Sequence, residues 1–284
     1  MNTAEDTVAL LHPGDMGAAV GKQLVDKGIR TIWIAGGRGP ATRRRAEAAG
    51  LEPREEPREL ADCSVVISVC PPAAALDVAA SVAAAGFRGV YLDANAISPE
   101  HAREIDALFA RRGGVSVVDG GIVGPPPREA GTTRLYLSGA DSAVVRDLFE
   151  GTTLRPIVLG TSVGGASALK LSFAAYNKMT HALAALSYSV AGHHGVTGEL
   201  RELAAAMLPG TPLGTPDALL AAGRRAWRWE GEMAEIASAC EGSGAPGLLP
   251  RAAEDLFARW ANCKDDDTLT FERLMTELTR SDEG

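Results

Sequence analysis

Near the start of the chain, Val8-Ala9-Leu10-Leu11 runs into His12-Pro13-Gly14-Asp15-Met16-Gly17, and this turn opens into Ala18-Ala19-Val20-Gly21. An apolar run, a glycine turn and an apolar-periodic segment, in that order, predict strand, tight turn and helix. In this arrangement a helix N-terminus can hold the pyrophosphate of a dinucleotide. Gly14 and Gly17 keep the G-x-G-x-x-G spacing, while His12 stands where the first glycine belongs. Gly14 would bring the backbone close to a pyrophosphate, Gly17 would let helix and strand pack closely, and Asp15 and Met16 complete the candidate cofactor turn. His12 is expected to make the turn from an ordinary backbone region. A glycine turn that binds nothing is the competing reading, so the rest of the chain must decide.

The organisation downstream favours an α/β unit. Residues 7–12 and 30–35 read as strands, with a helix over Gly14–Gly28 between them and another over Thr42–Gly50. Ser64–Cys70 reads as a buried strand stopped by Pro71-Pro72, Ala73–Ala85 as a helix and Gly89–Asp93 as a strand. Ser98-Pro99-Glu100 is a helix start, and Val115–Asp119 is a further strand. Alternation of this kind predicts βαβ units, right-handed crossovers and a mostly parallel sheet. After about residue 160 strand signals nearly vanish. Gly164–Gly192 is a long Ala/Leu-rich helical stretch, and helices broken at Pro209-Gly210, Pro212–Pro216 and Gly242–Gly247 follow. The expected organisation is therefore residues 1–160 as an α/β nucleotide-binding domain of Rossmann type. Residues 161–284 form a long helix leading into an all-α domain.

Bulk properties exclude several classes. A net charge of −8 over 284 residues argues against a broad nucleic-acid face. The acidic start Met1–Asp6 gives no sign of a secretory signal, and the tail Ser281–Gly284 is expected to fray. The longest apolar stretch contains Lys170, Lys178 and His181, which argues against a membrane span. Cys63, Cys70, Cys240 and Cys263 form no C-x-x-C pair and read as reduced thiols of a cytoplasmic protein. His193-His194 are adjacent on a helix, point apart and read as helix-end residues rather than a metal pair. Asp265-Asp266-Asp267 reads as a solvated turn.

The end of the second strand discriminates between cofactors. An NAD site has a carboxylate there for the ribose 2′-hydroxyl. This chain has Ile34-Ala35-Gly36-Gly37-Arg38, followed by Arg43, Arg44 and Arg45. An arginine fork accepts a 2′-phosphate that a carboxylate would repel. The reading is NADP(H), with Arg38 and one or two of Arg43 and Arg44 on the phosphate. Arg45 reads equally well as decoration of a solvated helix.

Leu11–Gly21, Ser68-Val69-Cys70-Pro71-Pro72, Asp93–Pro99, Asp119-Gly120-Gly121-Ile122-Val123-Gly124 and a Gly-rich entry to a helix carrying Lys170 occur in that order. Together they resemble the β-hydroxyacid dehydrogenase superfamily, which includes 6-phosphogluconate and 3-hydroxyisobutyrate dehydrogenases. The segment Arg225–Met233 resembles a branch with a poorly characterised C-terminal domain of the 6-phosphogluconate-dehydrogenase type. The resemblance implies a Rossmann domain, an interdomain helix, an all-helical C-terminal domain and a homodimer with interlocked helical domains. It implies a small-molecule substrate, with no role for nucleic acid or membrane. It places Cys70, Pro71 and Asn95 with the cofactor, and Gly121, Val123 and Gly124 with the substrate. Similar enzymes use a lysine on the interdomain helix as acid/base, and Lys170 matches it.

A lysine there suits hydride transfer to a ketone, because an ammonium stabilises the growing oxyanion and donates its proton. On an ideal helix Asn177 and His181 share the face of Lys170, about 10 and 16 Å along the axis. They are the further substrate-side candidates. The family's substrate loop has serine where this chain has Val123, and its asparagine four residues after the lysine is Ala174 here. Both changes remove polar contacts to a small acid. The primary expectation is an NADP(H)-dependent dehydrogenase or reductase acting on a C=O/CH–OH substrate in the interdomain cleft. The alternatives are an NADPH-dependent imine reductase, sharing the superfamily fold, and a non-catalytic NADP(H)-sensing protein. Trp227, Trp229, Phe257, Trp260 and Tyr188 read as core or interface, with Tyr188 open to a pocket role.

Overall fold

The computed structural model describes residues 7–280. The readings for Met1–Asp6 and Ser281–Gly284 lie outside the described residues. Two compact units divide the chain between Leu171 and Ser172.

The first unit is built on an eight-stranded sheet: β1 (Val8–Leu11), β2 (Thr31–Ile34), β3 (Glu52–Arg54), β4 (Val65–Ser68), β5 (Gly89–Asp93), β6 (Val115–Val123), β7 (Thr133–Ser138) and β8 (Leu154–Gly160). Their order is β3-β2-β1-β4-β5-β6-β7-β8, and β6 and β7 are the antiparallel pair. The first six strands have the doubly wound order. Strand residues alternate between two apolar layers. Val8, Leu10, Val65 and Ile67 join one core with Val20 and Leu24 of α1 (Asp15–Asp26), Ala46 of α2 (Pro40–Ala48) and Leu148 and Phe149 of α5 (Ser142–Phe149). Ala9, Leu11, Val66 and Tyr91 join the other, with Ala79 and Val82 of α3 (Ala75–Ala84) and Ile105 and Phe109 of α4 (Pro99–Ala110). Both faces are covered, which is why these strands read as continuous apolar runs.

Several boundaries differ from the sequence reading. The first helix starts at Asp15, with Gly14 as its extended N-cap, and the second starts at Pro40, whose fixed φ suits a first helical position. β6 does not end at Asp119. Gly120 and Gly121 continue it by pairing with Leu137 and Tyr136 of β7. β3, β7 and β8 were not expected from the sequence. β3 is polar and mostly exposed, and β8 is an edge strand that carries Pro156, so neither announces itself as an apolar run.

The strands end at Gly160, and the next helix, α6, runs from Gly165 to His193. The second unit comprises the rest of α6 with α7 (Thr197–Met207), α8 (Asp217–Gly223), α9 (Glu230–Gly242), α10 (Leu248–Ala258) and α11 (Phe271–Thr279). Its core stacks Trp229, Phe257 and Trp260, and the Trp260 indole donates to the Leu274 carbonyl at 3.2 Å. Lys178, buried, pairs with Glu232 beneath the Trp229 ring. Among the described residues no helix is long and apolar enough to cross a membrane.

Candidate active site

The strand order reverses at β1, whose neighbours β2 and β4 lead to opposite edges of the sheet. Ligands of doubly wound sheets lie outside the carboxyl ends of strands at such a switch point. The turn after Leu11 and the segment after Ser68 therefore border the candidate ligand crevice. Gly14 is the N-cap of α1 and has no side chain to satisfy the N–H groups of the first turn. Those donors and the helix dipole are available to an anion. A Cβ on Gly17 would stand 2.6 Å from the His12 carbonyl oxygen, so glycine is required for this approach of helix and turn. Asp15 is exposed and pairs with Arg128 at 2.5 Å, and Met16 packs against the core.

His12 departs from expectation. Its φ is +62°, so it makes the turn in the left-handed region where glycine is at ease. Its Nε2 lies 2.5 Å from Nη2 of Arg38. Burial, with the Arg38 charge added, pushes its pKa down to about 4, so the ring is neutral near pH 7.

The arginines divide their labour. Arg43 donates to the Ala35 carbonyl at 2.8 Å and the Arg38 carbonyl at 3.2 Å, and stands 3.5 Å from Glu55. It braces the loop after β2. Arg44 is exposed, and Arg45 donates to the Pro13 carbonyl at 3.2 Å. Arg38 is exposed beside Gly37, which is at φ +70°. Arg38 is thus the arginine that the loop holds up to the glycine turn.

Asn95 lies two residues beyond the end of β5 and is buried. Its side chain accepts from the Cys70 N–H at 2.6 Å and donates to Ser68 Oγ at 3.1 Å and Asp93 Oδ2 at 2.8 Å. It therefore shapes the Cys70-Pro71 segment. Pro71 is exposed, and burial pushes the Cys70 thiol up to about 11.

Asp119 on β6 is fully buried and stands beside Asp93 of β5 in the strand register. It accepts from Gly164 N and Ser167 N at 3.0 Å each, from Ser138 Oγ at 3.0 Å and from Ser167 Oγ at 2.6 Å. A strand carboxylate thereby caps the start of α6, where negative charge is favourable. Gly121 permits the approach: a Cβ there would lie 2.7 Å from the Ala166 carbonyl oxygen and 3.2 Å from Lys170 Cβ. Lys170, one turn beyond Ser167, is half-buried and its Nζ lies 3.4 Å from the Asn95 carbonyl oxygen. Burial lowers its pKa to about 8, against the opposing pull of Asp93 and Asp119. Burial likewise raises Asp93 to about 7, with the Asp119 charge adding to the rise. Asp93, Asp119, Ser68 and Ser167 were missing from the sequence-derived site. The available signal was a polar residue ending each of two apolar strand runs.

Val123 is half-buried and pairs with Arg134, and Gly124 is at φ +124°, where a Cβ would lie 2.3 Å from the Thr132 carbonyl oxygen. Asn177 and His181 belong to the second unit. Asn177 is exposed, and the His181 ring packs edge-on to Trp229. Tyr188 is buried, with its hydroxyl on the Leu213 carbonyl at 2.5 Å and its ring against Phe271. A cavity of about 750 Å³ in this unit is lined by Tyr188, His193, Arg201 and Phe271, and holds none of the other candidate residues. Among the described residues no three metal-binding side chains cluster.

Two family models match. "NADP oxidoreductase coenzyme F420-dependent" covers residues 7–96, and "Domain of unknown function (DUF1932)" covers residues 191–260. An uncharacterised 28.5 kDa protein of Methanothermus fervidus is 27% identical over 191 residues, which is 67% of this chain and 72% of that protein. Among solved structures, a 3-hydroxyisobutyrate dehydrogenase of Mycobacterium tuberculosis has a TM-score of 0.74 at 21% identity, over 97% of this chain and 99% of that one. An imine reductase of Streptomyces aurantiacus has a TM-score of 0.58 at 20% identity, over 97% of this chain and 100% of that one.

Proposed function

From a place in the β-hydroxyacid dehydrogenase-like superfamily, which the family models and the shared fold support, we propose that this protein is an NAD(P)-dependent oxidoreductase that uses NADP(H). The switch-point turn, with its open helix N-terminus at Gly14 and its close-packed Gly17, fits the pyrophosphate of a dinucleotide. Arg38 fits a 2′-phosphate, and Arg43 keeps the Arg38 loop in shape. Bound there, a nicotinamide supplies or accepts hydride.

The observation that carries the catalytic reading is the setting of Lys170. A half-buried ammonium rests on the Asn95 carbonyl at 3.4 Å, and its pKa of about 8 lies near working pH. Such a group donates a proton to a forming alkoxide and takes one from an alcohol in the reverse direction. Asn95 and Asp119 are positioning residues, the first through its carbonyl and the second through the start of α6. The substrate is a small or medium-sized carbonyl or hydroxyl compound.

The test is NADPH consumption across β-keto acids, aldehydes and cyclic imines. Turnover of a ketone or aldehyde that is lost in Lys170→Ala upholds the proposal. Turnover confined to imines and indifferent to Lys170→Ala replaces it with the imine-reductase reading. Val123, which lacks the hydroxyl of the superfamily's substrate-loop serine, favours that second reading. No turnover with any class, alongside tight NADPH binding, would point to a sensing protein.

Homodimerisation is part of the proposal. Phe173, Tyr176, Leu183, Leu186 and Val190 are large, apolar and exposed along α6, a surface that a second copy would cover.

A further inference from the structure

His12 carries two costs that a glycine would not. A non-glycine residue at φ +62° occupies the sparsely populated left-handed region. Its ring also leaves a buried polar atom unmatched. Arginine can only donate, so the 2.5 Å contact with Arg38 assigns the lone pair to Nε2. In the neutral ring the proton then sits on Nδ1, which is buried and has no acceptor among the described residues. Both costs fall at the position where a dinucleotide turn has its first glycine. Strain kept at such a place points from the outlier to a role.

The role is visible in what the ring touches. Arg38 lies on the loop after β2, whose carbonyls Arg43 holds from behind. Nothing in that bracing fixes the Arg38 guanidinium itself. His12 does so from the turn after β1, across 26 residues of sequence. The contact uses one of five guanidinium N–H donors and leaves the others for an anion.

We propose that His12 is a specificity-determining residue: by accepting a hydrogen bond from Arg38 it fixes the guanidinium for the 2′-phosphate of the cofactor and so sets the preference for NADP(H). The inference rests on the NADP(H) reading above. A glycine in its place would keep the turn and free Arg38 to swing, so the turn's hold on the pyrophosphate would survive while phosphate discrimination fell.

The experiment measures dissociation constants of NADPH, NADH and, without any nicotinamide, adenosine 2′,5′-bisphosphate against AMP. It compares wild type, His12→Gly, Arg38→Ala and the double variant. Wild type should prefer the 2′-phosphorylated member of each pair by about tenfold or more. His12→Gly should cut that preference to about threefold, with NADH affinity changed less than about twofold, and the double variant should match Arg38→Ala alone. His12→Gly with undiminished preference would overturn the proposal. Equal weakening of NADPH and NADH, or additive losses in the double variant, would overturn it too. A wild type without preference would instead remove the NADP(H) reading, and this proposal with it.

Discussion

Ser167 Oγ donates to Asp119 Oδ1 at 2.6 Å, and through this contact a strand of the sheet anchors the first turn of α6. Three residues further along the helix is Lys170. Replacing Asp119 with alanine leaves the hydroxyl and N–H donors of Ser138, Gly164 and Ser167 without their acceptor. It should cost about 3 kcal/mol or more in urea unfolding. Asparagine keeps one carbonyl for the donors on Oδ2 and can offer its amide to Ser167 Oγ, so Asp119→Asn should lose less than half as much.

Lys170→Ala should lower kcat by about 10²–10⁴-fold, the usual worth of general acid catalysis. Cofactor affinity, measured by fluorescence titration, should barely change, because the dinucleotide turn follows β1 whereas Lys170 lies on α6 against the Asn95 carbonyl. A variant with near-full carbonyl turnover would contradict the role given to Lys170.

The depressed pKa of Lys170 sets the sign of the pH dependence. Carbonyl reduction needs the ammonium, so its kcat should fall as pH rises through about 8. Alcohol oxidation needs the free amine and should rise through the same interval. Profiles measured in both directions on one enzyme preparation should therefore mirror each other, and Lys170→Ala should flatten both.

Arg38 and Arg43 should separate experimentally. Arg38→Ala should remove most of the preference for NADPH over NADH, about tenfold, and leave NADH binding intact. Arg43→Ala removes the hydrogen bonds to the Ala35 and Arg38 carbonyls and should weaken both cofactors by disordering the loop. Isothermal titration with each nucleotide distinguishes the two patterns.

Leu183 and Leu186 are each 52% exposed on α6. If a second copy covers this face, Leu183→Glu and Leu186→Glu should shift the protein in light-scattering chromatography from twice the 29.5 kDa chain mass to one chain mass. A wild type already at one chain mass would rule out the dimer.

Much of this was legible in the sequence because it rests on local pattern. The glycine turn, the alternating βαβ units, the arginine loop after β2 and the long helix with Lys170 each leave a contiguous trace. What stayed hidden rests on pairs of residues far apart in the chain. Nothing periodic announces that Asp119 will cap a helix starting at Gly165, or that Arg38 will reach His12. The left-handed φ of His12 leaves no trace in the sequence, because side chains ordinarily avoid that region and the turn overrides the preference. Lys170 and Lys178 both sit in the same apolar stretch. Only the packing shows that Lys178 is paired with Glu232, while Lys170 rests on a backbone carbonyl.

The left-handed backbone at His12 has a practical consequence for anyone who engineers this chain. A glycine there relieves strain of about 1 kcal/mol, so a campaign that selects only for heat tolerance would enrich the substitution. It would return a hardier protein whose preference between its two candidate coenzymes has largely faded, and the melting curve would report the change as an improvement.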